Sequence, residues 1–223
     1  MPQANRASSG YLLKTGKSLS LIDCGGGVTS SFLRRGFDAL DIDRIFISHT
    51  HPDHVTELPF VIQLIHLNQR TEPLDVYLPA DFVAPFRQFL QALYIIEERL
   101  PFPLNIVGYE IGFEYDNEFK LAAIGNKHLH AYSQIVGELD LPNKMQCCSF
   151  DMKIGDKTVF YSSDIATNDD VRPNLDGKDL VLLESTHIDL AEFVKHASTI
   201  SVGRFVITHL GTQREVVEIH RMA

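Results

Sequence analysis

Short apolar runs bounded by polar residues recur along the chain: SLSLID at 18–23, RIFIS at 44–48, LDVYLP at 74–79, TVFYSSD at 158–164, DLVLLE at 179–184 and RFVITH at 204–209. Each is rich in Ile, Val, Leu, Phe or Tyr and only a few residues long, which predicts strands buried on both faces. Asp23, His49, Asp164, Glu184 and His209 follow these runs within a residue or two, so five strand ends present ionisable groups. Between the runs the period changes. Val55, Leu58, Ile62 and Ile65 share one face of a helix that begins just after Asp53. A second helix is predicted from 81 to 99, with Phe82, Phe86, Phe89, Leu90 and Leu93 as its buried stripe. Weaker helical spacing runs from 191 to 202 and from 213 to 222. Residues 101–124 read as loops and hairpin strands, and MQCCSFDMKI at 145–154 is strand-like. Helices alternating with strands imply layered α/β structure. No repeat or linker interrupts the pattern, so a single domain over 1–223 is expected.

Composition narrows this. The 223 residues are 44% hydrophobic, enough for a substantial core. No stretch approaches the roughly 20 apolar residues of a membrane span, and MPQANRASSG lacks the basic and apolar regions of a signal peptide. A cytoplasmic protein with no membrane partner is therefore expected. Three cysteines, Cys24 and the adjacent Cys147 and Cys148, do not suggest a disulfide scaffold. The formal charge of −9 argues against a general polyanion binder, whose affinity comes from Lys and Arg at phosphates. It leaves room for a small phosphate substrate, because bound cations change the local field more than the total charge does.

The densest chemistry lies in ISHTHPDHVTELP at 47–59. In an extended segment alternate side chains point the same way, so His49 and His51 share a face and can reach one ion. Pro52 breaks the ladder and brings Asp53 and His54 round at the start of the next helix, where they can serve a neighbouring ion. Crowded imidazoles without such a purpose would repel one another on protonation.

HTHPDH resembles the metal-binding signature of the metallo-β-lactamase superfamily. Its setting is similar to the ribonuclease Z and phosphodiesterase branch: NRASSGYLL, LIDCGG, IFISHTHPDHVTELP, FKLAAIGNKH, KTVFYSSD, LLEST, KHAS and VITHLG follow in order along nearly the whole chain. The resemblance implies a four-layered αββα sandwich with a two-metal site at one edge of its paired sheets. It makes His49, His51 and a third histidine ligands of the first metal. His128 is preferred for that third place by the length of FKLAAIGNKH, and His130, two positions on along the same face of a strand, competes for it. Asp53, His54 and His209 become ligands of the second metal, and Asp164 the carboxylate bridging both. Asp23 is implied to support a ligand imidazole without touching metal, with a plain turn residue as the alternative. Glu184 either orients His196 or caps a turn.

An imidazole and carboxylate set without thiolate suits two divalent ions, zinc first, with manganese or iron as alternatives. Two such ions about 3.5–4 Å apart bring a shared water's pKa toward about 7 and clamp the attacked group, which is the hydroxide chemistry of a binuclear phosphodiesterase. No serine or cysteine nucleophile is then required. His196, in KHAS, resembles the branch's histidine at the scissile phosphate, and Asp53 and His196 are the expected catalytic pair. Acid–base work of this kind is worth about 10²–10⁴-fold.

The pattern also departs from its relatives. Only 35 residues separate His128 from Asp164, too few for the long arm with which ribonuclease Z proteins engage transfer RNA. A smaller phosphodiester or nucleotide-like substrate is expected, with transfer RNA disfavoured. No counterpart of the family's opening strand and Gly-rich turn precedes Asn5. Hydrolysis of thioesters, lactones or amides at the same site is the enzymatic alternative, and a metal-stabilised binding domain without turnover is the third. The redox diiron branch is disfavoured because His51 stands where it generally has a carboxylate. A homodimer is compatible with the family.

Overall fold

The computed structural model describes residues 6–16 and 18–210. The chain divides into two compact units, residues 2–109 and residues 110–223. Each unit owns one sheet.

The first unit holds strands β1 (Tyr11–Thr15), β2 (Ser18–Ile22), β3 (Ile42–Phe46), β4 (Leu74–Pro79) and β5 (Leu104–Tyr109), in that spatial order. β1 and β2 are antiparallel neighbours; β2, β3, β4 and β5 run parallel. The parallel crossovers carry α1 (Val28–Arg34), the paired α2 (Pro52–Val55) and α3 (Leu58–Leu67), and α4 (Val83–Ala92). Leu21, Ile45, Val76 and Leu78 pack with Leu58, Val61, Ile62, Ile65, Phe86 and Leu90 in one fully buried cluster. Each such side chain contributes about 1.5–3 kcal/mol of transfer free energy.

The helix expected over 81–99 is shorter. After a 3₁₀ turn at Ala80–Phe82, α4 stops at Ala92, and Tyr94 has a left-handed φ of 60°. The β-branched pair Ile95–Ile96 that follows has little to gain from a helix. Phe86 and Leu90 are buried as expected, whereas Phe89 and Leu93 face outward, 49% and 45% exposed. β1 was hidden from sequence reading because YLLKT lacks alternation and is only half-buried.

The second unit holds β6 (Glu114–Asp116), β7 (Lys120–Gly125), β8 (Cys148–Ile154), β9 (Lys157–Tyr161), β10 (Leu180–Glu184) and β11 (Phe205–Thr208), in spatial order β11-β10-β9-β8-β7-β6. β6 to β9 form an antiparallel meander, while β9, β10 and β11 run parallel. Two antiparallel steps separate β7 from β9, so β7, β9, β10 and β11 all point the same way and end at the same edge. Among the described residues, α5 (Ser133–Glu138) and α6 (Leu190–Ala197) accompany this sheet. Phe193 of α6 packs with Phe160, Val181 and Leu183. The helix expected over 191–202 is α6, which ends at Ala197 before Ser198 and Thr199. The one expected over 213–222 lies outside the described residues. Among the described residues no helix is long and apolar enough to cross a membrane.

Candidate metal centre

Because β2 and β3 are parallel neighbours, their carboxyl ends lie side by side, with Asp23 just past one and His49 just past the other. Asp23 takes a left-handed φ of 58°, a conformation aspartate tolerates better than most residues. Its fully buried carboxylate accepts hydrogen bonds from the Ser48 amide (2.8 Å) and the Ser48 hydroxyl (2.9 Å), and lies 2.8 Å from Nδ1 of His54. An ionised carboxylate only accepts, so His54 carries its proton on Nδ1 and a lone pair on Nε2. The Ser48 hydroxyl, already donating its hydrogen bond to Asp23, accepts from Nδ1 of His49 at 3.2 Å, which fixes the same tautomer there. The His49 and His54 rings lie 4.1 Å apart and those of His49 and His51 4.9 Å apart, between centroids. Candidate ligand atoms of His49 and His51 come within 4.8 Å of each other, as do those of Asp53 and His54.

Pro52 occupies the first turn of α2, with His51 extended before it at φ −61°, ψ 145°, so the strand-to-helix turn expected from HTHPDH is present. The turn is clamped to the Gly-rich loop after β2. The Cys24 amide donates to the His54 carbonyl (2.7 Å), the Glu57 amide to the Cys24 carbonyl (3.0 Å) and the Ser9 amide to the Asp53 carbonyl (3.1 Å). A methyl group on Gly25 would fall 1.8 Å from that Asp53 carbonyl oxygen, so only glycine fits. Burial, then the nearby Glu57 and Asp23 carboxylates, push the Cys24 thiol well above its usual range. It is neutral and no nucleophile; Cys147 and Cys148 are buried thiols as well.

In the second unit the shared edge gathers the residues following β7, β9, β10 and β11. Nε2 of His128 lies 3.7 Å from Asp164 Oδ2, and Nε2 of His209 lies 3.4 Å from the same oxygen. Nδ1 of His128 faces the Ile165 carbonyl at 3.4 Å. The Thr186 hydroxyl donates to the His209 carbonyl (2.6 Å) and accepts from His209 Nδ1 at 2.9 Å. Both rings therefore turn Nε2 toward the carboxylate. His128 does not sit on a strand: it opens a 3₁₀ turn (His128–Tyr132) directly after β7. The two-residue alternation that made His130 a rival fails in that turn, and His130 is exposed.

Glu184, 1% exposed, accepts from the Thr186 and His187 amides and from Nδ1 of His187 at 3.0 Å. It thus holds the His187 ring and closes the turn that follows β10. His196 lies in the last turn of α6, half-buried. Asn168, in the loop after Asp164, anchors that helix by donating to the Asp189 carbonyl and the Glu192 carboxylate, both at 3.0 Å. Ser48, Thr186 and His187 escaped sequence reading. The available signal was position alone: a hydroxyl or imidazole directly beside a residue already singled out.

The donor set fits divalent cations. Four imidazoles have Nδ1 held by a carboxylate, a hydroxyl or a backbone carbonyl, which is the arrangement that presents Nε2 to a metal and raises its basicity.

The beta-lactamase superfamily domain profile matches residues 20–222. This chain belongs to the metallo-β-lactamase superfamily. Curated proteins that it resembles include ribonuclease Z proteins. That of Thermoplasma acidophilum is 32% identical over 142 residues, 63% of this chain and 45% of that protein. The chain spans about half the length of the first curated relatives it matches. Among solved structures, the metallo-beta-lactamase fold protein YhfI from Bacillus subtilis superposes with a TM-score of 0.72 at 21% identity, covering 97% of this chain and 85% of that one. The short form of human tRNase Z gives 0.71 at 20% identity, covering 96% and 90%. Both share the superfamily's fold, which agrees with the fold expected from the motifs.

Proposed function

We propose that the protein is a metal-dependent phosphodiesterase of the ribonuclease Z-like type, acting on a small or nucleotide-like diester and not on transfer RNA. The observation that carries this reading is the common tautomer of His49, His54, His128 and His209, each with Nδ1 engaged. A histidine kept only for packing has no need of that agreement.

In this reading His49, His51, His128 and Asp164 would hold one ion, and Asp53, His54, Asp164 and His209 would hold a second. Zinc suits the set best, with manganese or iron as alternatives. Bound divalent ions supply Lewis acidity and a water acidic enough to attack at neutral pH. Asp53 would also accept a hydrogen bond from a water held at the site, while Asp23 keeps the His54 ring in place. His196 donates to a phosphate oxygen or to the departing alkoxide. Its Nε2 is buried and makes no hydrogen bond among the described residues, which supports a ligand-directed role. Asn168 keeps α6, and with it His196, fixed to the Asp164 loop.

Metal-replete protein is expected to hydrolyse bis-p-nitrophenyl phosphate, to lose that activity in a chelator and to regain it with zinc. Asp53→Ala abolishes turnover with an unchanged circular dichroism spectrum. Absence of turnover on this diester and on every cyclic nucleotide would remove the assignment.

A further inference from the structure

The segment that joins His128 to β8 carries apolar side chains that the fold does not use. Residues 130–144 are exposed apart from Val136, yet the segment has a defined structure. α5 ends in a Schellman turn: Asp140 takes a left-handed φ of 50°, its amide donates to the Gly137 carbonyl (3.3 Å), and the Leu141 amide donates to the Val136 carbonyl (3.0 Å). Such a turn sets an apolar residue at 141 beside Val136. It has no use for Tyr132, Ile135 and Leu139, which are 49%, 46% and 59% exposed. At about 120° per residue through the 3₁₀ turn and about 100° through α5, these three fall within about 60° of buried Leu129. The stripe therefore begins in the core at Leu129 and runs on into water. Exposed apolar side chains gathered on one face mark a binding surface.

Position and charge select the occupant. Tyr132 closes the 3₁₀ turn that His128 opens, and Nε2 of His128 lies 3.7 Å from Asp164 Oδ2. Four residues at about 2.0 Å each put Tyr132 about 8 Å along the axis from His128, and Ile135 and Leu139 stand about 5 and about 11 Å further on. An aryl or short alkyl group on a phosphate at His128 reaches the first two, and a longer chain reaches Leu139. Between 128 and 144 the charged side chains other than histidine are Glu138, Asp140 and Lys144, and Lys144 pairs with Glu110 at 3.4 Å. With no surplus of cations the surface is unsuited to a polyanion or to an anionic membrane. We propose that Tyr132, Ile135 and Leu139 seat an apolar ester group, alkyl or aryl, of the diester whose phosphate lies at the His128 edge. This rests on the phosphodiesterase reading and names the organic part of its substrate.

The test uses the full chain loaded with zinc and three p-nitrophenyl diesters whose second ester group is methyl, butyl or hexyl. In the wild type kcat/KM is expected to rise about twofold per added methylene, because a half-covered methylene gains half the free energy of a buried one, and full burial gives about fourfold. The double variant Ile135→Ser, Leu139→Ser flattens this rise; both positions are exposed, so the fold survives. Leu67→Ser, at an exposed leucine of α3, leaves it intact. No rise in the wild type, or the same rise in the double variant, overturns the proposal. Two other occupants overturn it as well. A wild-type dimer in sedimentation that the double variant converts to monomer assigns the stripe to a second copy, and flotation with phosphatidylcholine vesicles that the double variant loses assigns it to a membrane. Calorimetric titration with methyl, butyl and hexyl phosphate, which needs no turnover, separates this idea from the phosphodiesterase reading. If the wild type hydrolyses no diester, an affinity that climbs along the series and stays flat in the double variant upholds the contact, and an affinity that does not climb rejects it.

Discussion

Asp23 joins backbone strain, burial and three hydrogen bonds in one side chain, with both oxygens committed to Ser48 and His54. Replacing it with asparagine keeps the shape but puts N–H donors where only acceptors belong, so Ser48 or His54 must lose its bond. Asp23→Asn is expected to lower metal affinity about 10–100-fold, the usual cost of a lost partner behind a ligand histidine. Equilibrium dialysis against zinc, with circular dichroism to confirm folding, checks this. At this scale the sequence was readable where residues adjoin. HTHPDH announces its chemistry because four polar side chains share one turn. The choice between His128 and His130 depended on whether the chain stayed extended past Gly125, and it does not. For Glu184 the sequence offered two roles, orienting His196 or capping a turn, because the three-residue reach to His187 is visible only once β10 ends and its turn folds back.

Among the elements, β9 and β10 are stitched together at their amino ends by Asp179. Its carboxylate accepts from the Thr158 amide (2.8 Å), from Lys157 Nζ (2.9 Å) and from the Thr158 hydroxyl (3.1 Å). The backbone bond from Thr158, then Lys157 and the Thr158 hydroxyl, pull its pKa down to about 2. A folded-state value below the unfolded one, about 3.9, stabilises the fold above that pH, and the contribution is lost as pH falls through about 2. Asp179→Asn is therefore expected to melt lower than the wild type at neutral pH, with the gap closing between about pH 4 and about pH 2. Thermal melts across that range read it directly, and added salt shrinks the Lys157 part. The strands whose apolar runs are continuous and flanked by polar positions were legible to within two or three residues, whereas β1, without such a run, was not. Helices were less so: the stripe from Phe82 to Leu93 has the right period, but the backbone turns left-handed at Tyr94 and leaves its last members in water.

For the whole molecule, the superfamily assignment rests on a profile spanning residues 20–222, and the order of motifs in the sequence already pointed to it. Substrate class was less legible, since it depends on which polar groups line one edge and not on the fold. Metal is expected to act on stability as well as on turnover. An ion bound only by the folded chain at 100 times its dissociation constant adds about 2.7 kcal/mol. Chelation should lower the melting temperature reversibly, and zinc should restore it; an unchanged melt with activity lost would mean that the ion is held too weakly to matter for folding. The allocation of strands has a consequence for protein engineering. β5 closes the first sheet at Tyr109 and β6 opens the second at Glu114, so a cut between Tyr109 and Glu110 would sever no strand pairing in either. That peptide bond is a natural seam for fragment complementation, where each half of the gene could carry its own reporter or tag and every ladder would survive the split.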